Sequence, residues 1–156
     1  MGPHRGRPRV AIASSGRLSY RHEARRRIAV RELAALAAHC DLYLVQKDLY
    51  DEDRQFLAAG GSGVTFLGDA IEDFTDGSAI VENVDLVISI DTSFTHVAGA
   101  MGKPVWLLLS DVPDWRWMRE RLDSPWYPTL RIFRQSGEGS WSRVLGQVAE
   151  ALRLPR

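Results

Sequence analysis

Apolar residues recur along the chain in short runs, and most of these runs are separated by stretches of helical periodicity. Each run is rich in aliphatic residues and bounded by polar, Gly or Pro residues, as is typical of parallel strands covered on both faces. Strands that alternate with helices predict an α/β domain built on a parallel sheet. The predicted strands lie near Arg9–Ala13, Leu42–Gln46, Val64–Leu67, Asp85–Ile90, Val105–Leu109 and Arg131–Phe133.

Two amphipathic helices are predicted to cover this sheet. Shorter segments at Glu52–Ala58 and Asp76–Asn83 carry weaker helical patterns. Because crossovers between parallel strands are right-handed, about six such strands predict a Rossmann-like, doubly wound sheet with ligands at the carboxyl ends of its strands. The two clear apolar faces consist of Ala29, Leu33, Leu36, Ala37 and Cys40, and of Trp141, Val144, Leu145, Val148, Ala149 and Leu152.

The stretch from Asp85 to Leu109 is predicted to form a strand, a turn, a short helix and a second strand. With Thr92 or Ser93 as the N-cap, the free N–H groups of the helix point where Thr92, Ser93 and His96 also point. The sequence therefore predicts an anion site at this helix. The helix ends at Gly102, and its apolar face consists of Phe94, Val97, Ala98 and Met101.

Two residues of this site have alternative interpretations. His96 is predicted to contact a ligand, and the alternative is a structural histidine whose hydrogen bonds are satisfied within the protein. Asp91 is expected to accept a hydrogen bond either from the first N–H groups of the helix or from a ligand hydroxyl.

The other strand ends carry residues that suit a nucleotide ligand. The residues after the first strand offer two hydroxyls, a flexible glycine and a cation, although an ordinary polar turn explains them equally well. A lysine after the second strand would meet a phosphate or pair with Asp48. A glycine after the third strand would pass close to a base or ribose, or form a plain turn. These candidates are Ser14, Ser15, Gly16 and Arg17, then Lys47, then Gly68.

Tryptophan is abundant, with five in the chain, and three of them follow the fifth strand. Trp115, Trp117 and Trp126 form either a wall for a sugar or base, or packing that fixes this segment. They are also candidates for an interface with another chain.

Composition narrows the choice of partners. The chain has 156 residues, which fits one domain over residues 9–156. Its net charge of +0 favours neither nucleic acid nor an anionic membrane as a partner.

Residues 1–8 are expected to be a disordered basic tail. No apolar run approaches the about 20 residues that span a bilayer. A single cysteine, Cys40, forms no internal disulfide and fits a reducing cytoplasm.

The sequence offers little support for a metal site or for a known catalytic motif. Asp69, Asp73 and Asp76 suit a solvated acidic loop better than a hydrolytic metal site, and no metal or other cofactor is expected. Motifs such as G-x-S-x-G, H-E-x-x-H and the Walker glycine loop do not occur.

The chain resembles the C-terminal domain of heptosyltransferase-type, family nine glycosyltransferases, and most closely the branch found in bacterial tetratricopeptide-repeat proteins. The resemblance extends from Arg9 to Leu154, and its most specific part is Ile90 to Trp106. It is carried by I-S-I-D-T-S-F-T-H-V-A-G-A-M-G-K-P-V-W-L-L-L, followed by P-D-W-R-W, D-S-P-W-Y-P and R-I-F-R-Q.

The resemblance implies half of a GT-B architecture, in which two Rossmann-like domains face each other and the C-terminal one binds a nucleotide-sugar donor. It implies that Asp91, Thr92, Ser93 and His96 meet the diphosphate and sugar, with His96 as a stabiliser of the leaving group. By the same resemblance, Ser14 to Arg17 lie near the phosphates, Lys47 reaches toward the donor, and Arg26 matches an arginine of relatives. The loop at Ala13–Arg17 departs from the family pattern of an aromatic residue followed by Ser/Ala-Gly-Asn.

Three hypotheses follow from the residues and the resemblance together. The first is a bacterial, cytoplasmic domain that binds an ADP- or UDP-linked sugar for metal-independent glycosyl transfer. The family's general base usually comes from an N-terminal acceptor domain, which would be supplied in cis or in trans. The second is a non-catalytic binding or oligomerisation module, for example a homodimer, with the tryptophan-rich edge as its interface. The third is an epimerase of related architecture.

Overall fold

The computed structural model describes residues 6–137 and 139–154. Six strands form one sheet, and every pair of neighbouring strands is parallel. Their order is β3-β2-β1-β4-β5-β6, which confirms the predicted Rossmann-like class. The strands are β1 (Arg9–Ala13), β2 (Asp41–Leu44), β3 (Val64–Phe66), β4 (Leu86–Ser89), β5 (Val105–Leu109) and β6 (Leu130–Arg134).

Six α-helices lie between or after these strands. Short 3₁₀ turns at Ala34–Ala38, Gly61–Gly63, Gly68–Ala70 and Trp115–Trp117 complete the regular structure of the described residues. The helices are α1 (Glu23–Arg26), α2 (Val30–Leu33), α3 (Asp51–Ala58), α4 (Phe74–Glu82), α5 (Ser93–Ala100) and α6 (Ser142–Arg153).

The central strands are apolar on both sides because the sheet carries a core on each face. On β1, Val10 and Ile12 join one core and Ala11 and Ala13 join the other, as the two-residue period of a strand requires. The first core includes the apolar residues of α6, which confirms the predicted covering role of that helix. The second core includes residues of α5 and the buried ring of Trp117.

The predicted helix across Ala29–Cys40 is wrong in its form. The chain makes one α-helical turn, α2, and then tightens into the 3₁₀ turn at Ala34–Ala38. Leu33 and Leu36 are both buried and three residues apart, which is the period of a 3₁₀ helix. Ala37 also lies close to Gly63, so small residues crowd this turn.

Smaller differences occur at the ends of elements. Helix α5 stops at Ala100, so Met101 is exposed rather than part of the apolar face, and Gly102 turns the chain away with a φ of 70°. Residues 1–5 of the predicted tail lie outside the described residues. Arg7, in the described part of that tail, donates to the carbonyls of Ala37 and Cys40, and the Pro8 carbonyl accepts from the Asp41 amide.

Candidate functional site

A cavity of about 720 Å³ opens at the carboxyl edge of the sheet, between the segments that follow β1, β2, β3, β4 and β5. Strands β1 and β4 are neighbours, and the order of strands reverses between them. Chains leave such a pair toward opposite sides of the sheet, which opens a crevice. The cavity lies at this crevice.

The loop after β1 is fixed by a side chain from the segment that follows β2. Gln46 Oε1 accepts from the backbone N–H groups of Ser14 at 2.7 Å and Ser15 at 3.1 Å, and its Nε2 donates to Ser15 Oγ at 2.6 Å. Ser14 is fully buried behind the cavity wall, whereas Ser15 lines it. Gln46 therefore sets the path of the loop while its own amide is satisfied.

A buried ion pair joins this loop to the segment after β4. Glu23 accepts from the Gly16 amide at 2.5 Å and from Arg26 Nε at 2.7 Å, although only 2% of Glu23 is exposed. Arg26 also donates to the main-chain carbonyl of Asp91. A Cβ on Gly16 would come well inside 3.0 Å of the Arg26 guanidinium, so a glycine is needed for this close approach.

The amino end of α5 faces the cavity without a side-chain cap. Thr92 precedes the helix, but its hydroxyl lies 2.9 Å from Ser89 Oγ instead of accepting from a helix N–H. Thr92 and Ser93 both line the cavity. The helix therefore presents its positive end and its first N–H groups to this space, as an anion site requires.

His96 is held between three side chains one turn into α5. Its Nδ1 lies 2.9 Å from the Tyr127 hydroxyl, and its Nε2 lies 3.7 Å from Asp91 Oδ1. The imidazole stacks on Trp117, with ring centroids 5.5 Å apart and planes 22° apart. The ring is thus fixed in orientation, and it lines the cavity.

The far side of the cavity is formed by Lys47 and by the start of α4. Lys47 Nζ donates to the Glu72 carbonyl at 3.2 Å. Asp73 caps α4, and the backbone N–H groups of Asp76 and Thr75 hold the pKa of its carboxyl below the usual value. Arg17 and Lys47 form no ion pair among the described residues, so both cations are available to a ligand.

An apolar shelf lies beside these polar groups. It consists of Ile71, Phe74, Gly77, Phe94 and Val97, and Phe74 is exposed at its rim. The cavity therefore combines an anion-binding end with a surface that suits a flat or apolar group.

The structure brings most of the sequence-predicted residues together. Ser14 and Gly68 do not line the cavity: Ser14 lies behind Gln46, and Gly68 packs so tightly on the Gln46 carbonyl and the Phe66 ring that a Cβ would collide with both. The predicted residues that line it are Ser15, Gly16, Arg17, Lys47, Asp91, Thr92, Ser93 and His96.

None of the three predicted tryptophans lines this cavity. Trp117 is 1% exposed and supports His96 from behind, whereas Trp115 is 72% and Trp126 54% exposed. The cavity is lined instead by Asp114 and Arg116, which flank Trp115 and form an ion pair at 2.7 Å. For Trp117, packing is the role that the structure shows.

Four residues that shape the site were not among the predicted donor-binding residues, although the family resemblance had matched Arg26 to an arginine of relatives. Gln46 is a polar residue that ends an apolar run, which is a usable signal. Glu23 and Arg26 have the spacing of a helical ion pair, another usable signal. Tyr127 lies 31 residues from His96, and no local pattern connects the two.

Two features are absent from the described residues. In that part of the chain no group of three or more His, Cys, Asp or Glu side chains is placed to hold a metal ion. The same residues include no helix that is long and apolar enough to cross a membrane.

The fold and the cavity together define a Rossmann-like α/β domain with a cavity at its topological switch point. Two solved structures share the fold: E. coli ADP-heptose LPS heptosyltransferase II (TM-score 0.63, 18% identity) and a family 9 glycosyltransferase of Veillonella parvula DSM 2008 (TM-score 0.69, 14% identity). Each alignment covers 96% of this chain and 47% of the other, so the chain spans about half of either protein.

Sequence comparison adds one curated relative. Protein FlbA of Caulobacter vibrioides is 37% identical over 84 residues, which is 52% of this chain and 13% of that protein. No protein-family model matches the chain.

Proposed function

We propose that this chain is the nucleotide-sugar-binding domain of a glycosyltransferase, and that its donor is an ADP- or UDP-linked sugar. One observation carries the proposal: the uncapped start of α5 and the Gly16–Arg17 loop line the same cavity. Backbone N–H groups at a helix start, a glycine that permits close approach and a free cation are the groups that bind a diphosphate. The shared fold of the two glycosyltransferases supports the proposal.

The acidic residues of the cavity have a separate role in this proposal. Asp73 caps α4 and Asp114 pairs with Arg116, so neither is free to repel a diphosphate strongly. Asp48 and Asp91 would accept hydrogen bonds from ribose or sugar hydroxyls. The apolar shelf at Phe74 and Phe94 would take the base.

The chemistry would depend on electrostatic stabilisation of the leaving diphosphate. Transfer forms a bond between an acceptor oxygen and the anomeric carbon and breaks the bond from that carbon to the diphosphate. The start of α5 and the His96 imidazole would stabilise the charge that develops on the diphosphate. The proton of the acceptor would go to a base outside this chain's cavity, and the proposal needs no metal.

The acceptor side would come from another domain, in cis or in trans. This chain spans about half the length of the two structures with the same fold. An acceptor domain would exclude water and position the nucleophile. A bacterial, cytoplasmic protein that also carries tetratricopeptide repeats remains our expectation for the context of this domain.

Calorimetry and thermal unfolding with ADP, UDP, GDP and their sugar conjugates test the proposal. A ligand at 100 times its Kd would stabilise the fold by roughly 2.7 kcal/mol. His96→Ala should weaken binding of the preferred nucleotide sugar without unfolding the domain. His39→Ala is the matched control, because His39 precedes β2 at the opposite edge of the sheet. Absence of binding by every nucleotide at millimolar concentration would refute the proposal.

A specific observation also supports the interaction-module hypothesis. Trp115 and Trp126 are exposed aromatic residues on one segment, which is typical of contact surfaces. Sedimentation of the wild type against Trp126→Ala tests a homodimer through this edge. A monomer at all concentrations would exclude that arrangement.

A further inference from the structure

A second cavity, of about 750 Å³, lies at the ends of β5 and β6. Its walls come from the segment after β5, from the 3₁₀ turn at Trp115–Trp117 and from the residues that end β6. Its size is similar to that of the first cavity. None of the sequence-predicted donor-binding residues lines it.

The two cavities and a smaller space that shares lining residues with both lie along the carboxyl edge of the sheet, and the three together are termed the groove. The smaller space, of about 160 Å³, lies between them and shares Arg26 and Asp91 with the first cavity and Ser110 and Val112 with the second. Asp114 lines all three spaces.

A buried amide at the wall of the second cavity has no hydrogen-bond partner. Gln135 is 7% exposed, and its Nε2 is buried without a partner among the described residues. Leaving a buried amide unsatisfied is costly, because the group has lost its water without gaining a protein acceptor. A ligand hydroxyl or carboxylate would satisfy it after a small rotation of the side chain.

Two arginines supply further donors at the same wall. Arg134 donates to the carbonyls of Arg121 and Trp117, which fix its guanidinium, and burial lowers its pKa below the usual value. Neither Arg134 nor Arg119 pairs with a carboxylate in the described part of the chain. Both guanidinium groups keep N–H donors for oxygen atoms of a ligand.

Trp115 provides an aromatic surface at the same cavity. Its ring is largely exposed, and the Arg116 guanidinium lies 5.3 Å from the ring centroid. An exposed aromatic face beside several hydrogen-bond donors suits a sugar ring, which has C–H groups on its faces and hydroxyls around its edge. No helix of eight or more residues begins at this cavity within the described chain, so the strongest feature of the first cavity is missing here.

We propose that the second cavity is a saccharide-binding subsite, in which a pyranose ring lies on Trp115 and its oxygens bind Gln135 and Arg134. The bound sugar would be the part of the acceptor that reaches this domain, whereas the base and the remaining acceptor contacts would come from the other domain, and this assignment rests on the proposed function. The donor and this sugar would then lie in neighbouring cavities that share Asp114 in their walls.

Chemical-shift titration of the full chain tests the subsite directly. The probes are methyl glycosides of glucose, galactose, mannose and glucuronic acid, added into the high millimolar range. We expect the indole N–H of Trp115 and the side-chain amide of Gln135 to shift in a saturable way. The indole of Trp141 is the internal reference, because it donates to the Arg27 carbonyl away from the groove.

Two variants distinguish specific sugar binding on Trp115 from nonspecific binding to exposed apolar side chains. Trp115→Ala should weaken the preferred glycoside by about tenfold, a loss that corresponds to about 1.4 kcal/mol. Leu122→Ala removes another exposed apolar side chain that lines none of the three spaces, and its affinity should match the wild type. Equal losses in the two variants would overturn the proposal, as would the lack of saturable shifts with every glycoside.

A parallel titration with ADP and UDP distinguishes the two proposals. If nucleotides shift the amides of Gly16 and Ser93 while no glycoside shifts Trp115, the donor site stands and the saccharide subsite is wrong. If glycosides bind at Trp115 while no nucleotide binds, the subsite stands and its acceptor role falls with the proposed function. Nucleotide-induced shifts centred on Trp115 and Gln135 would overturn the subsite by making this cavity part of the nucleotide site.

Discussion

The hydroxyl of Tyr127 lies 2.9 Å from Nδ1 of His96, on the side of the imidazole opposite the Asp91 carboxylate. If the neutral imidazole accepts from Tyr127 at Nδ1, its proton is on Nε2, the nitrogen nearest to Asp91. His96 would then direct its Nε2–H donor at Asp91 and the cavity. The Tyr127 ring is itself pressed against Gly99, where a Cβ would come inside 3.0 Å of it.

Tyr127→Phe tests this relationship, because it removes the hydroxyl and keeps the ring. We expect nucleotide-diphosphate affinity to fall by roughly threefold to tenfold, since His96 loses the bond that fixes its tautomer. Calorimetry measures the affinity, and ¹⁵N shifts of the imidazole report the tautomer. Tyr43→Phe, at a buried tyrosine of β2, is the control; unchanged His96 shifts in Tyr127→Phe would contradict the argument.

Gly16→Ala should disrupt the first cavity. The added Cβ would collide with the Arg26 guanidinium, so Arg26 must leave either Glu23 or the Asp91 carbonyl. We expect a loss of about 1–3 kcal/mol of stability, by analogy with other overpacked sites, together with weaker nucleotide binding. Chemical denaturation measures the first effect and calorimetry the second. A variant with unchanged stability and affinity would show that the close approach is not needed.

Gly146→Ala should have the opposite effect on stability. Gly146 lies exposed in the middle of α6, and nothing stands within 4 Å of the position that its Cβ would occupy. Alanine in a helix interior is favoured over glycine by about 0.5–1 kcal/mol, so the midpoint of urea unfolding should rise. The same variant is the matched control for Gly16→Ala, and a lower midpoint would count against the helical geometry of α6.

Glu23→Gln should destabilise the domain by about 2 kcal/mol. The substitution removes the charge that balances Arg26 in a largely buried pair, while Arg26 keeps its bond to the Asp91 carbonyl. Glu82→Gln is the control, because its pair with Lys103 is exposed and such pairs contribute about 0–1 kcal/mol. Equal unfolding free energies for the two variants would disprove the structural role of the Glu23 pair.

Acid should weaken the cap of α4. The Asp76 and Thr75 amides lower the pKa of Asp73 in the folded state, so its carboxylate stabilises the fold above the unfolded pKa of about 3.9. That contribution is lost as the pH falls through the lower, folded pKa. The ¹³C shift of the Asp73 carboxyl should titrate below the value of a model peptide. Asp73→Asn should reduce the loss of stability between about pH 5 and pH 3.

The sheet could be predicted from the sequence because its signals are local. The strand bounds at β1 and β5 agree fully with the prediction, since each is a continuous apolar run that ends in polar or Gly/Pro residues. The segment at Ala29–Cys40 shows the limit of this approach. Its apolar spacing fits a helix. The form that it adopts depends on tertiary contacts, namely the close approach of Gly63 and the burial of Leu36, which the local sequence does not reveal.

The candidate site could be predicted only where one segment carries its chemistry. Asp91, Thr92, Ser93 and His96 are within six residues, so a helix start and its polar side are visible in the sequence. Residues that hold this cluster in place come from distant segments, as Gln46 and Tyr127 do. Trp117 is buried, whereas Trp115 and Trp126 are exposed, and this difference in burial cannot be predicted from their spacing in the sequence.

The reversal of strand order between β1 and β4 has a mechanical consequence. The contact between these two strands joins an amino-terminal half of the sheet, β1 to β3, to a carboxy-terminal half, β4 to β6. A molecule that binds the loop after β1 and the start of α5 at once would tie the halves together. A bound molecule would then raise the force needed to separate β1 from β4, and it would slow amide hydrogen exchange in both halves of the sheet.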